Sequence, residues 1–345
     1  TEASGYVGNF VTQVKSDIGV AVLKHGATVI AIGADEYKPT EYLYGEDDRV
    51  LTQLELGEKI AGGDEKLLNA QSLVMIQCVG CRQKDRDYCA RVCCSHAIKN
   101  ALKLKEINPQ MDITILFRDM RTYGFSEDYY REASNNDVKF IRYEPDDKPR
   151  LEAAEAEGRP VLRVMLPEYI LGKKLSIDAD YLALSAAVIP PAENREIAKS
   201  FKVSLGPDEF FKEAHVKLRP VEFGTDGVYL CGMAHYPKHI PESINQAYGA
   251  ASRVLTLLSH DIVTVSGAVC EVKEIDCVSC GACMTVCTYG AIEFRETPHG
   301  PKAWVNPVLC KGDGLCNAKC PTNAIFLKHF TDEDLLSQID EAFEA

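Results

Sequence analysis

The chain has 345 residues, 46% of them hydrophobic, which is enough for one large domain and a smaller one. Its formal net charge of -13 sets it against nucleic acid or an anionic membrane surface as main partner, because both would repel it. No apolar run approaches the ~20 residues that span a bilayer, and the opening TEASGYVGNF has no leader pattern, so a cytoplasmic protein without a transmembrane segment is expected. Two short strands, GNFVTQVK and GVAVLKH, read as an antiparallel lead-in. GATVIAIGADEYKP follows as a β-branched strand from Thr28 to Ile32 that ends at Gly33 and Ala34. From Ser72 the pattern alternates: strand LVMIQCV, helix YCARVCCSHAIKNALKLKEI, strand DITILFR, short helix SEDYYREAS and strand VKFIRY. Such alternation predicts βαβ units on a parallel sheet. EPDDKPRLEAAEAEGRP reads as a charged turn region, VLRVMLPEYILGKKLSIDA as a hairpin and DYLALSAAVIP as an apolar strand. GVYLCGMAHYPKHIPESINQAYGAASRVLTLL is strand, glycine turn and helix from about Pro241. Short cysteine-rich loops follow Ser266, which places a boundary near residue 265 and gives domains 1–265 and 266–330. Residues 331–345, TDEDLLSQIDEAFEA, form an acidic amphipathic helix with Thr331 as N-cap.

The 14 cysteines are too few for a disulfide scaffold, and they cluster: Cys78, Cys81, Cys89, Cys93 and Cys94, then Cys277, Cys280, Cys283 and Cys287, then Cys310, Cys316 and Cys320. Neighbouring cysteines are poor disulfide partners and good chelators, so metal in a reducing compartment is favoured. Cys231 and Cys270 stand apart and read as buried apolar thiols. CVSCGACMTVC has the CxxCxxCxxxC spacing that sets three thiolates around one iron-sulfur cube. A zinc ribbon would use two CxxC pairs instead. The second motif, CKGDGLCNAKCP, starts 33 residues later and carries Asp313 where a cysteine is expected.

Together these motifs resemble the two-cluster bacterial ferredoxins. In that family the fourth cysteine of each motif ligates the other cluster. The resemblance therefore implies one site of Cys277, Cys280, Cys283 and Cys320, and a second of Cys287, Cys310, Cys316 and Asp313. A 4Fe-4S cluster with Asp313 on the odd iron is expected there, with a 3Fe-4S cluster or a water ligand as alternatives. Thr288 stands where the family has proline, which supplies no ligand.

The mid-chain cysteines follow another pattern, Cx10CxxxCC. Cys78 is expected to end a parallel strand, and Cys89, Cys93 and Cys94 to sit on the next helix, with Cys89 and Cys93 one turn apart. With GYVGNF, CVGCRQKDRDYCARVCCSHAIKNAL and CGMAHYPKHIPESINQAYGAASRVLTLL, the chain resembles the HdrA family, the iron-sulfur flavoproteins of heterodisulfide reductase, over nearly its whole length. The resemblance implies a thioredoxin-reductase-like, Rossmann-type α/β flavoprotein domain, followed by an α+β ferredoxin domain. It also implies a further 4Fe-4S cluster on Cys78, Cys89, Cys93 and Cys94, three in all. Cys81 departs from the pattern as a spare thiol or alternative ligand, and a reactive Cys78–Cys81 dithiol remains the competing reading.

GATVIAIGA and DGVYLCGMAHYPKHIPESINQAYGAA resemble two FAD-contacting segments of flavin disulfide reductases, which implies FAD contacts at Gly33, Ala34, Gly232, Met233, Ala234, His235, Lys238, Ile240, Pro241, Ser243 and Gln246. Gly232 lets backbone approach the cofactor, and the following helix N-terminus can face the flavin's electron-rich edge. Met233 replaces an acidic residue usual in that family. Lys238 is the candidate to stabilise a reduced anionic flavin, or else an exposed lysine; His235 and His239 are read either as near the flavin or in a packed or solvated role. No GxGxxG occurs, so the ADP half of FAD is expected on a missing segment or partner chain. The family implies an oxidoreductase subunit that relays electrons between FAD and other subunits of a heterodisulfide-reductase-like complex, by way of ferredoxin or a hydrogenase- or dehydrogenase-linked carrier, with electron bifurcation as a possible extension. The alternative is a polyferredoxin-like wire with a vestigial flavin fold.

Overall fold

A computed structural model describes residues 2–169, 172–264 and 266–344; Val265, at the expected boundary, and Ile170 and Leu171, in the expected hairpin, lie outside them. The chain divides into two units, one of Thr1–Ala31, Ala192–His235 and Ile244–Ala345, the other of Ile32–Pro191 and Tyr236–Ser243. In the first unit β1 (Glu2–Tyr6), β2 (Asn9–Ser16) and β3 (Gly19–His25) form an antiparallel sheet, one strand more than the sequence pattern suggests. β4 (Thr28–Ile30) ends two residues earlier than expected.

The second unit carries β5 (Asp35–Glu36), β6 (Val50–Thr52), α1 (Gln53–Gly62), α2 (Glu65–Leu68), β7 (Ser72–Val79), α3 (Cys93–Ile107), β8 (Asp112–Phe117), α4 (Ser126–Asn135) and β9 (Lys139–Arg142). β10 (Arg150–Ala156), β11 (Arg159–Glu168), β12 (Lys173–Ala179), β13 (Tyr181–Ala186) and β14 (Val188–Ile189) complete it. The expected parallel sheet is present in the order β6-β13-β7-β8-β9, with every pairing parallel. β7 is buried from Leu73 to Val79, as a strand covered on both faces must be. Ala97, Ile98, Ala101 and Leu104 of α3 pack with Leu73, Met75 and Ile113 on one side. Leu162, Val164 and Leu166 of β11 pack with Val74, Ile76 and Leu116 on the other. Each fully buried Leu or Ile contributes about 1.5–3 kcal/mol. α1 begins with a capping box, Thr52 Oγ1 accepting the Glu55 amide at 3.2 Å while the Glu55 carboxylate accepts the Thr52 amide at 2.8 Å.

Two expectations are corrected here. Residues 150–156 are not turn but β10, an outer strand of the β10-β11-β12 sheet. The helix expected from Tyr88 begins only at Cys93, because Arg91 adopts a left-handed φ of 60° that no α-helix continues through.

The remainder of the first unit holds α5 (Asn194–Phe201), β15 (Val228–Leu230), a 3-10 turn at Gly232–Ala234, α6 (Ile240–Leu258), whose first residues belong to the other unit, and β16 (Cys270–Val272). α7 (Ala282–Val286), β17 (Ile292–Thr297), β18 (Gly300–Val305), α8 (Leu315–Lys319), β19 (Ile325–Leu327) and α9 (Asp332–Glu344) follow. β15 pairs in parallel with β4, over a core of Phe10, Ile30, Phe211, Phe223 and Leu230. β16 pairs with β19 and β17 with β18, both antiparallel. The registers Val272↔Ile325 and Val305↔Ile292 map onto each other under the 33-residue shift of the cysteine motifs, so this region is a pseudo-two-fold duplication. Thr331 caps α9 as expected, its hydroxyl accepting the Asp334 amide at 3.2 Å. Among the described residues no helix is long and apolar enough to cross a membrane.

Candidate metal centres

Each ferredoxin-like motif folds as a loop and one helical turn. Gly281 and Gly314, both at φ 73°, end the loops and start α7 and α8. That left-handed turn is accessible to glycine at little cost, and it carries Cys283 and Cys316 on the helices, facing inward. Two small cavities result. Cys277, Cys280, Cys283 and Cys320 line the first, with Val272, Phe294, Ala303 and Ile325 as apolar wall. Cys287, Cys310, Asp313 and Cys316 line the second, with Ile292 and Val305 in the corresponding wall positions. The geometry therefore brings together each of the two expected ligand sets, Asp313 included.

Among the described residues no three His, Cys, Asp or Glu converge as they would on a single metal ion. A cluster, with one ligand per iron, spreads its ligands wider. The donor set fits such a group: thiols on an apolar wall, with amide donors aimed at sulfur. Ala291 donates to Cys287 Sγ at 3.3 Å, and Cys270 to Cys310 Sγ at 3.4 Å. Burial pushes the Cys283 and Cys316 thiols up. At Cys320 burial is the largest influence, yet the Thr322 amide and hydroxyl and the Ile325 and Ala324 amides together bring the thiol below its ordinary value. The Asp313 carboxylate is exposed and accepts the Leu315 amide at 3.2 Å.

The mid-chain cysteines gather in the other unit. Cys78, Cys81, Cys93 and Cys94 are buried together with Ala90 and Ala187 at the C-terminal end of β7, which includes Cys78, and Cys89 is half-buried. Cys89 does not share a helical face with Cys93 as expected: it lies in the loop ahead of α3, its sulfur accepting the Arg91 amide at 3.3 Å. Cys93 and Cys94 occupy the first turn of α3, whose N-terminus has no side-chain cap, so they sit at the positive end of that helix. Cys78 itself has a left-handed φ of 64°, a strain of about 1–3 kcal/mol that aims its thiol into the group. The Cys81 thiol, aided by Arg82 and Arg118, holds Cys78 below its ordinary value against the effect of burial. Arg82 reaches Cys78 Sγ at 3.9 Å while paired to Asp119 at 2.5 Å. Cys78 and Cys94 are thus held toward the thiolate, whereas their thiol partners Cys81 and Cys93 are pushed up by those same neighbours and by burial.

The expected flavin contacts fall in both units. In the first, Gly232 has φ 70° and donates its amide to Gln246 Oε1 at 3.0 Å. His235 joins the same network, with Nε2 2.9 Å from Glu213 and Nδ1 2.8 Å from the Gln246 amide nitrogen. Met233 and Ala234 lie between them in the 3-10 turn. In the second unit, Gly33 has φ 79° beside Ala34. Lys238 is 8% exposed, which sets aside the reading of a surface lysine. His239 packs edge-on to Tyr123, and its amide donates to Glu242 at 2.8 Å. Glu242 also pairs with Arg91 at 2.6 Å, which the sequence pattern does not announce. Ile240 and Pro241 are exposed and Ser243 half-buried at the start of α6.

A family model described as a 4Fe-4S dicluster domain matches residues 276–324. The CoB–CoM heterodisulfide reductase iron-sulfur protein HdrA of Methanocaldococcus jannaschii is 37% identical over 341 residues, 94% of this chain and 51% of that protein. The HdrA of the H(2):CoB-CoM heterodisulfide,ferredoxin reductase of Methanothermobacter thermautotrophicus is 36% identical over 335 residues, 92% of this chain and 49% of that protein. The chain thus spans about half the length of the curated relatives it matches. Among solved structures, T. acidophilum thioredoxin reductase covers 75% of this chain and 73% of its own at TM-score 0.49 and 13% identity.

Proposed function

Because this chain belongs to the HdrA family of heterodisulfide reductase proteins, of whose members it spans about half, we propose that it is an electron-relay oxidoreductase subunit, working within a heterodisulfide-reductase-like complex. Three 4Fe-4S clusters would carry electrons between FAD and partner proteins. The observation that carries this reading is the pair of cavities, each walled by three positions of one cysteine motif and the last cysteine of the other. The third cluster would lie on Cys78, Cys89, Cys93 and Cys94, with Cys81 packed against Cys78 as a fifth thiol. What the protein contributes is ligand spacing, sulfur-directed amides and positive charge near Cys78; the one-electron chemistry is the clusters' own.

FAD would be shared with the segment or partner chain that supplies a GxGxxG turn. Two features support this. The parallel pair β4 and β15 is three residues long in each strand, and Val29 is exposed, whereas parallel strands are stable inside larger covered sheets. On α6, Ile240, Ile244 and Tyr248 repeat every fourth residue and are exposed, the stripe of a helix that a further segment covers. Bifurcation, with one branch to a low-potential ferredoxin and the other toward a disulfide, extends the same reading from relatives whose names include both acceptors.

The test is iron, sulfide and flavin content of the chain purified with its native partners. About twelve iron atoms per chain and a yellow flavin band are expected. Iron-sulfur absorbance without flavin, all partners present, would turn the reading to an electron wire on a vestigial flavin fold. Reduction of low-potential ferredoxin without a high-potential acceptor would sink the bifurcation part alone.

A further inference from the structure

The two cavities share their architecture, but corresponding strand positions beside them differ in sulfur chemistry. Under the 33-residue shift Cys270 of β16 falls on Ala303 of β18, as the registers Cys270↔Leu327 and Ala303↔Phe294 require. Ala303 presents a methyl group to the first cavity. Cys270, at 2% exposure, lies with its Sγ 3.4 Å from Cys316 Sγ and its amide 3.4 Å from Cys310 Sγ. Cys270 is buried, whereas Asp313, which lines the second cavity, is exposed.

We propose that Cys270 is a positioning thiol that donates its S–H to the Cys316 thiolate and thereby sets the potential of the second cluster above that of the first. This rests on the cluster reading of that cavity. A cysteine bound to iron carries no proton, so the proton between the two sulfurs belongs to Cys270. Hydrogen bonds to cluster sulfurs stabilise the more negative, reduced state and so raise the potential. The Cys270 amide acts in the same direction on Cys310. At the Ala303 position the side chain has no proton to give. The pseudo-symmetric pair is thereby made unequal by one side chain, independently of Asp313.

The experiment is an EPR-monitored redox titration of the full cluster-loaded chain, read at the signal that Asp313→Cys alters. Cys270→Ala should shift the one-electron equilibrium of that cluster about tenfold toward the oxidised form, about 59 mV, with iron content and the other cluster unchanged. Cys270→Ser, which keeps a donor, should retain most of the wild-type potential. Ala303→Cys should raise the other cluster's potential. An unchanged potential in Cys270→Ala overturns the proposal. So does loss of iron or a 3Fe-4S signal in that variant, which would make Cys270 a ligand. A wild-type chain with iron at the first site and none at the second defeats the cluster reading itself, and the iron count alone reveals it.

Discussion

Asp313 and Cys280 stand at corresponding corners of the two cavities, and both are exposed. A carboxylate is a harder ligand than a thiolate and holds cluster iron less firmly. Asp313→Cys should therefore slow loss of the odd iron to a chelator and change the spin signature; spectra identical to wild type would refute the ligand role. In the mid-chain pocket Cys94→Ser should remove about four iron atoms per chain, while Cys81→Ser keeps them, as iron analysis of the purified variants will show. Glu222 is a different kind of site. Burial is the largest influence on it and works upward, but Arg219 and Arg253 outweigh it and leave the carboxyl below its ordinary 4.5. A depressed carboxyl gives stability that is present above the unfolded value and is lost as pH falls through the folded one. Since both arginines are well exposed, Glu222→Gln should cost about 1–2 kcal/mol at neutral pH in urea unfolding, with the gap to wild type closing below about pH 4.5. Cys270 marks the limit of what residues alone disclose. Its burial is legible as an isolated cysteine after an apolar residue, but its neighbours are not, because the repeat keeps only Val272 with Val305 and Ile292 with Ile325, while Cys270 and Glu271 correspond to Ala303 and Trp304.

At the scale of elements, the loop from Gly80 to Val92 decides whether the mid-chain cysteines meet. Gly80 has φ 75°, and a Cβ there would collide with the Tyr37 ring, which Arg86 stacks upon at 4.2 Å while holding the Gly80 carbonyl. Gly80→Ala should therefore abolish the cluster absorbance of this unit. Gly45→Ala, at φ 81° with open space around its Cβ, should cost only about 1 kcal/mol and leave the absorbance intact. The alternation of β7, α3, β8, α4 and β9 is legible because buried parallel strands need unbroken apolar runs. β10 is not, since RLEAAEA is made of good helix formers, and its strand state comes from seven residues paired to β11. The position of Cys89 is hidden for a related reason: the left-handed Arg91 that ejects it from α3 has no residue-type signature.

Over the whole molecule, the small β4–β15 pair and the exposed stripe of α6 predict that the chain alone retains no flavin, and that co-purification with a GxGxxG-bearing chain or segment restores it. Lack of flavin in that complex would count against the shared site. The ferredoxin-like region has a further consequence. Its duplicated halves are interleaved: β16 of the first half pairs with β19 of the second, β18 of the second with β17 of the first, and each cavity borrows its last cysteine from the opposite half. Neither half can close a cavity, or complete a strand pair, without the other. Loading of the two sites is thereby coupled, because the first cluster to form pins strands and a cysteine that the second requires. Native mass spectrometry during iron and sulfide titration should find chains with none or both of these clusters, and few with one. Maturation of this region is then a single cooperative event, and a lesion at any one of the cysteines that line the two cavities disables two redox centres.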